Sequence, residues 1–375
     1  MKLDDRIEAV VSAAANYPWL GDLTAENILR WIDLELGRFL HEASPQEYGQ
    51  HHCLSQPLSP ILHVVSGNTP HAALQSLIRG IVVGAQNWMK LPQGGLPEVA
   101  GFSLRLPVAL RPTLADHLNP SWVQDAAAIV VFGTDETVQH FSRRLLATQR
   151  LLAHGHKTSF GLIWAPIDRN VINGAAQDAF VFDQLGCLSP QFYYVAGDSP
   201  RFASLLGMRL EELCRINPVT PVRGYEIAAA LRSFREEWKF RAATEPGVLV
   251  WESPGTLDWM VIHDPSPCLV ANPLYRTIFI KPMPSDLGSV LGPIRRHIST
   301  VGLHPVNLDS VTFATRLGAQ RVCGIGQMQN PPLTWHHDGW PTLASLVRYV
   351  DVEGLGTNPR GASERSDTGW KPMLL

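Results

Sequence analysis

The segment Phe182-Asp183-Gln184-Leu185-Gly186-Cys187-Leu188-Ser189-Pro190 holds the residue best suited to covalent chemistry. A cysteine thiolate attacks a carbonyl or thioester carbon. Gly186 lets the backbone come close to a ligand, and Pro190 ends any helix soon after. Set in a turn at the start of a helix, Cys187 would have its pKa lowered by the amide dipoles there. The same text also suits a buried, inert thiol, the usual state of a free cysteine. These residues alone leave both readings open.

Two further segments carry candidate groups. Ser66-Gly67-Asn68-Thr69-Pro70 follows an apolar run, and an asparagine at a strand end can aim its amide N–H at a developing oxyanion. An ordinary Asx turn before a helix explains it equally. Phe132-Gly133-Thr134-Asp135-Glu136-Thr137 reads as strand, glycine, helix start, which presents free amides to a phosphate. It lacks the full G-x-G-x-x-G pattern, and a helix capped by Thr134 is the plainer account. The segments His51-His52, His154-x-His156 and His336-His337-Asp338 form no H-E-x-x-H motif and bring no third ligand at a diagnostic spacing. Adjacent side chains point in different directions, so no metal site is expected.

The elements that must position these groups alternate. Apolar runs at 61–65, 87–91, 126–132 and 160–164 read as buried strands, with helices expected over 72–83 and 135–148 between them. A second set follows: helices at 171–183, 200–213 and 222–240, and strands at 191–195, 248–251, 259–263 and 276–281. Strand–helix alternation implies parallel βαβ units and an α/β fold. Residues 5–15 and 24–41 precede it as helices. The expected domains are 1–157, N-terminal helices and a Rossmann-type cofactor domain; 158–345, a second α/β domain with the cysteine; and 346–375, a C-terminal segment, partly mobile.

The chain has 375 residues, 45% hydrophobic, with a net charge of −3, so it can bury a large core and has no basic field for nucleic acid. No run approaches the roughly 20 apolar residues of a membrane span. The N-terminus does not read as a signal peptide. The five cysteines are scattered, with no C-x-x-C pair, which excludes a disulfide framework and fits a reducing cytoplasm.

In this order the segments resemble the acyl-CoA reductase (LuxC) family of bacterial luminescence, a branch of the aldehyde dehydrogenase superfamily. The matching stretches are HVVSGNTPHAALQSLIRG at 63–80, WMKLP at 88–92, FGTDETV at 132–138, HGHKTSFG at 154–161, FDQLGCLSPQ at 182–191, NPLYRTIFI at 272–280 and GQMQNPPLTWHHDGWPTL at 326–343. The resemblance implies an aldehyde dehydrogenase-like fold. It makes Cys187 the nucleophile and Asn68 the oxyanion asparagine. It gives Lys90 to the adenosine ribose of a nicotinamide cofactor, and Gly133, Thr134 and Glu136 to the turn beside its pyrophosphate. Arg276 and Thr277 fall toward its nicotinamide end. The implied reaction is reduction of an acyl-CoA or acyl-carrier-protein thioester to the aldehyde through a Cys187 thioester.

Two departures shape that expectation. Aldehyde oxidisers carry a general-base glutamate where this chain has Ala153, and its loss disfavours hydrolysis of the acyl-enzyme. Gln93 stands where NAD-preferring relatives often place a glutamate, which leans toward NADPH with NAD possible. The chain is shorter than typical luminescence reductases. The resemblance further implies a homo-oligomer with a possible acyl-transferase or synthetase partner. The alternatives are an NAD(P)-dependent aldehyde dehydrogenase working oxidatively, disfavoured by Ala153, and a non-catalytic relative, disfavoured by Cys187, Asn68 and Lys90 occurring together.

Overall fold

Strands whose residues are all buried need cover on both faces, and this requirement builds the first half of the chain. The computed structural model describes residues 1–37, 45–217 and 224–355. Helices α1 (Leu3–Ala14) and α2 (Ala25–Leu36) come first. Strands β1 (Gln46–Tyr48) and β2 (His51–Pro57) follow, then β3 (Ile61–Val64), β4 (Asn87–Lys90), β5 (Thr113–Ala115), β6 (Ala128–Phe132) and β7 (Arg150–His154). The last five form one parallel sheet in the order β5-β4-β3-β6-β7.

Alternate residues of these strands face opposite layers. Ile61 and Val130 pack against α1, α2, α3 (Pro70–Val83) and α4 (Pro97–Arg105), beside Val10, Trp31 and Leu77. Leu62, Ile129 and Val131 pack against α5 (Pro120–Asp125) and α6 (Asp135–Ser142), beside Val123 and Phe141. Each such buried aliphatic side chain contributes about 1.5–3 kcal/mol. Pro70 opens α3 at a position with no N–H to lose, and Gly84 closes it at φ 87°.

The second half is a seven-stranded sheet: β8 (Thr158–Ile163), β9 (Pro190–Val195), β10 (Leu249–Glu252), β11 (Met260–His263), β12 (Thr277–Pro282), β13 (Ile298–His304) and β14 (Arg321–Gly324). Their order is β10-β11-β12-β9-β8-β13-β14, parallel except for the β10–β11 edge. Tyr193 and Ile278 face α7 (Arg169–Phe180) and α8 (Ser199–Ile216). Tyr194 and Phe279 face the other layer, where Trp238 of α9 (Tyr225–Thr244), Leu287 of α10 (Leu287–Leu291) and Leu317 of α11 (Leu308–Leu317) pack.

A small antiparallel sheet, β1-β2-β15, ties the C-terminal strand β15 (Val347–Val352) to β2. Glu35 of α2 accepts the N–H groups of Leu343 and Ala344 at 2.6 and 3.0 Å, fixing the approach to β15 on the N-terminal helices. Residues 356–375 of the tail expected to be partly mobile lie outside the described residues, as do residues 38–41 of the second expected helix and residues 222–223 of the expected 222–240 helix. No helix among the described residues is long and apolar enough to cross a membrane.

Two local expectations are corrected. The helix expected over 135–148 ends at Ser142, because the chain must turn to feed β7. Gln149 stabilises that turn, accepting the Leu146 N–H and donating to the carbonyls of Val123, Gln124 and Ala126. The helix expected over 171–183 ends at Phe180, and residues 182–184 turn left-handed, with φ of 54°, 54° and 62°.

Candidate active site

In the five-stranded sheet the strand order reverses between β3 and β6, so their carboxyl ends open a crevice. The turns after these strands hold Asn68 and Gly133, and Lys90 ends the neighbouring strand β4. Asn68 is exposed in the bend between β3 and α3, and its amide has no partner among the described residues. Lys90 ends β4 beside Val64, and its ammonium also lacks a partner there. Gly133 starts the turn into α6, where a Cβ would sit 3.0 Å from Thr137 Cβ. Thr134 caps the helix, its hydroxyl accepting the Thr137 N–H at 3.3 Å. Glu136 is exposed in the first turn. A free ammonium and a helix start at a strand-order reversal fit a dinucleotide that carries phosphates.

Cys187 lies elsewhere in the sequence and differently from expectation. Its turn feeds strand β9 and not a helix, so no helix dipole is available to its sulfur. The turn is tied down from behind. Ser159 of β8 donates to the Cys187 carbonyl at 2.7 Å, and Gln329 donates to Ser189 at 2.7 Å. Gln184, fully buried, donates to the carbonyls of Pro190 and Thr277 and accepts the Thr277 N–H. Cys187 is exposed to solvent. Lost solvation between the cleft walls, then the Asp338 carboxylate, push its pKa up to about 12; its own N–H, Lys157 and Arg321 pull the other way. The resting group is therefore a thiol.

The two halves meet at this turn. A Cβ on Gly186 would lie 3.3 Å from Ser189 Oγ, 3.5 Å from Gln329 Oε1 and 4.0 Å from Thr69 Cγ2. Asn68 therefore belongs to the segment that faces the Cys187 turn. His71, at the start of α3, packs its ring 5.9 Å from that of Phe182, with Trp19 against both. Arg276 is placed behind the turn and not at the crevice. It is buried, ion-paired to Asp183 at 2.8 Å, and stacked 4.0 Å over the Phe180 ring. Thr277 is buried under Gln184.

Histidines distant in sequence also converge here. His154 ends β7, one residue after Ala153, and its carbonyl accepts the Gly133 N–H at 3.1 Å. Its Nδ1 is 2.6 Å from Asp338 Oδ2. His337 stacks 4.2 Å from the His154 ring. Burial, then the neighbouring His154 and Arg79, hold His337 well below the ordinary histidine pKa, so it is neutral. Donor atoms of His154, His337 and Asp338 lie within 4.8 Å of one another. Lys157 lies 3.8 Å from Asp338 Oδ1 and sets a positive charge beside the cluster. Spacing rules missed this cluster, because its members come from β7 and a remote turn. The Asp338-Gly339 dipeptide was the available signal: both residues have φ above zero, and His337 pairs with Trp340 across them, as in a type I′ hairpin turn. Beside His154 opens a cavity of about 340 Å³, walled by Arg79, Arg150, Ala153, His337 and Trp340 among others.

Known proteins resemble this chain in sequence and in fold. The profile of the family described as acyl-CoA reductase (LuxC) matches residues 9–94 and 102–349. The long-chain acyl-protein thioester reductase of Aliivibrio fischeri is 23% identical over 325 residues, 80% of this chain and 65% of that protein. The enzyme of the same description from Vibrio harveyi is 23% identical over 349 residues, 86% of this chain and 70% of its own length. The chain thus spans about two thirds of these curated relatives. Among solved structures, glyceraldehyde-3-phosphate dehydrogenase from Methanocaldococcus jannaschii, complexed with NADP, superposes with a TM-score of 0.64 at 11% identity, over 94% of this chain and 90% of that one. A 1-pyrroline-5-carboxylate dehydrogenase from Thermus with bound NAD gives 0.62 at 13% identity, over 94% and 81%. The fold is that of aldehyde dehydrogenases, and with the family profile covering most of its length, the chain belongs to the acyl-CoA reductase (LuxC) family.

Proposed function

We propose that this chain reduces a long-chain acyl thioester to the aldehyde through an acyl group carried on Cys187. The observation that supports it most is the packing of the Asn68-bearing segment against the Cys187 turn, with Thr69 4.0 Å from a Cβ at Gly186. Cys187 Sγ attacks the thioester carbon, the new C–S bond forms, and the donor thiol leaves. The Asn68 amide donates to the oxygen that gains charge, worth about 2.7–4 kcal/mol where such a donor acts. A reduced nicotinamide, when bound, supplies the hydride. Cys187 leaves as the aldehyde forms. Ala153 offers no carboxylate to activate water, which favours reduction over hydrolysis and argues against the oxidative alternative.

Lys90, Gly133, Thr134 and Glu136 hold the cofactor in this reading, and Arg276 acts on its nicotinamide end through the loop that it braces. NADPH is favoured over NADH because Lys90 is unpartnered and Gln93 is neutral and exposed, which suits a 2′-phosphate. The names of the relatives point to an acyl-protein as thioester donor, with acyl-CoA as the simpler substitute. Self-association, an acyl-transferase or synthetase partner and a cytoplasmic location are parts of the same reading, supported by family membership.

The test is incubation with NADPH or NADH and acyl-CoAs from acetyl to palmitoyl, following cofactor absorbance and trapping aldehyde. Expected are aldehyde matched to cofactor loss, an acyl adduct on Cys187 when cofactor is withheld, and loss of both in Cys187→Ala, which should still bind cofactor. Full reductase activity in Cys187→Ala would end the scheme.

A further inference from the structure

The cavity of about 340 Å³ is bordered by no residue of the Cys187 turn, 182–190. Its inner wall carries Arg79, which is 6% exposed and whose Nε meets no acceptor. We propose that this cavity binds a carboxylate with an aliphatic tail, a medium-chain fatty acid, whose head pairs with Arg79 and whose tail lies along β7.

Arg79 keeps its charge. A guanidinium stays protonated in proteins, and burial lowers this one only to about 10, with Glu35 and Asp338 pulling back. Neither carboxylate pairs with it among the described residues. Glu35 is spent on the Trp31 ring N–H, the Thr342 hydroxyl and the N–H groups of Leu343 and Ala344. Asp338 holds His154 at 2.6 Å and faces Lys157 at 3.8 Å. The contact that the guanidinium does make is a long one: Nη1 donates to His337 Nδ1 at 3.4 Å. His337 is neutral and brings no counter-charge. A buried charge is costly until an opposite charge meets it. The Nε–Nη2 edge is the one left over, and its two parallel N–H groups match the two oxygens of a carboxylate.

The lining sets the rest of the ligand. Among the described residues no carboxylate borders the cavity, so nothing there repels an anion. The hydroxyls are already used: Ser76 on His63, Thr342 on Glu35 and Ser345 on the Pro341 carbonyl. A sugar or a phosphate needs several donors and would find one buried cation. Val130, Leu152 and Leu346 offer an apolar surface instead. All five residues of β7, Arg150–His154, border the space, so it runs about 13 Å along the strand.

Entry is open as well. Arg150 and Trp340 stand at the rim, both exposed. The Arg150 side chain has no partner among the described residues, and its charge draws an anion toward the mouth. The walls come from α3, β7 and the segment 337–346, which are far apart in sequence. A ligand that bridges them binds the folded chain and not the unfolded one, so it also raises stability by mass action.

The test titrates octanoate into the full chain by calorimetry, with octanamide and inorganic phosphate as comparisons. Octanoate should bind saturably, one per chain, and raise the unfolding temperature. Octanamide, of equal length and uncharged, should bind about tenfold more weakly or worse, and phosphate should not compete. Arg79→Gln should weaken octanoate by about tenfold or more. Because Arg79 is buried, Leu152→Trp serves as a second variant that fills the cavity from the edge strand and leaves the arginine in place; it should abolish binding. Cys187→Ala should bind octanoate as wild type does, which separates this site from the Cys187 turn. Equal affinity for octanamide, competition by phosphate, loss of binding in Cys187→Ala, or unchanged binding in a folded Arg79→Gln or Leu152→Trp would each overturn the assignment. So would no binding of octanoate at millimolar concentration. None of these outcomes bears on the reductase reading, which stands or falls on the acyl adduct at Cys187.

Discussion

The two sheets contribute to the cleft in opposite ways. The five-stranded sheet offers Asn68 on a short turn and Lys90 at the end of β4, with side chains that no described residue engages. The seven-stranded sheet holds Cys187 in a turn braced by Ser159, Gln184 and Gln329, with Arg276 clamping Asp183 behind it. Three consecutive residues before the turn, 182–184, and three before β12, 274–276, adopt left-handed backbone. Such residues cost about 1–2 kcal/mol each outside glycine, and the Gln184 bridge to Thr277 joins the two strained stretches. One wall is thus left for ligands to complete, and the other is shaped in advance.

Substitution on the open wall should therefore cost chemistry without cost to the fold. Asn68→Ala is expected to lower the acyl-transfer rate about 10²–10³-fold, with an unfolding midpoint that matches wild type. A loss below threefold would remove Asn68 from the oxyanion role. A matching loss of stability would show that this wall is braced after all.

The braced wall should behave the other way. Gln184→Ala removes the side-chain donor to the Pro190 carbonyl and one of two partners at each Thr277 group, whose N–H also donates to the Leu274 carbonyl and whose carbonyl also accepts from Asn272. Each lost hydrogen bond costs about 0.5–1.5 kcal/mol, so the three together should lower stability in urea unfolding by roughly 3 kcal/mol, with Cys187 reactivity disturbed as a consequence. Stability within 1 kcal/mol of wild type, on the order of a surface change, would mean that the strained stretches hold themselves.

Much of this contrast was legible in the sequence, and unevenly so. The continuous apolar runs at 61–65 and 126–132 announced parallel strands, because strands covered on both faces need no alternation. β7 escaped notice as a half-exposed edge strand, Arg150-Leu151-Leu152-Ala153-His154, that follows a helix-forming stretch. β13 escaped for a different reason. Its text, Ile298-Ser299-Thr300-Val301-Gly302-Leu303-His304, is half polar or glycine although nearly all of it is buried. Thr300 gives its N–H to Ser159, and Gly302 is required because a Cβ would come within 2.8 Å of Met328 Sδ. Those constraints come from tertiary neighbours, which periodicity cannot register. The same limit hid the pairing of Asp338 with His154. His63 shows how little residue type decides: it too lies buried on a parallel strand, but Ser76 and Asn87 take both its nitrogens, whereas His154 keeps one free.

The braced wall is tied to pH through one carboxyl. Asp178 of α7 accepts the N–H groups of Gly326 and Met328 at 2.6 and 2.9 Å, and its carbonyl accepts from Gln329, the residue that also holds Ser189. Burial pushes its carboxyl from the ordinary 3.8 up to about 7, against these N–H groups and Arg321. Between those values the folded chain keeps a proton that the unfolded chain has released. Stability from this group is therefore whole below about 4 and is lost as pH rises toward 7. Asp178→Asn cannot ionise, so its stability relative to wild type should climb across that window and level off above it. Urea unfolding of both proteins at a series of pH values reads the difference. Parallel curves would mean that Asp178 is ionised throughout, held by its amides, and that the brace behind Cys187 is indifferent to neutral pH.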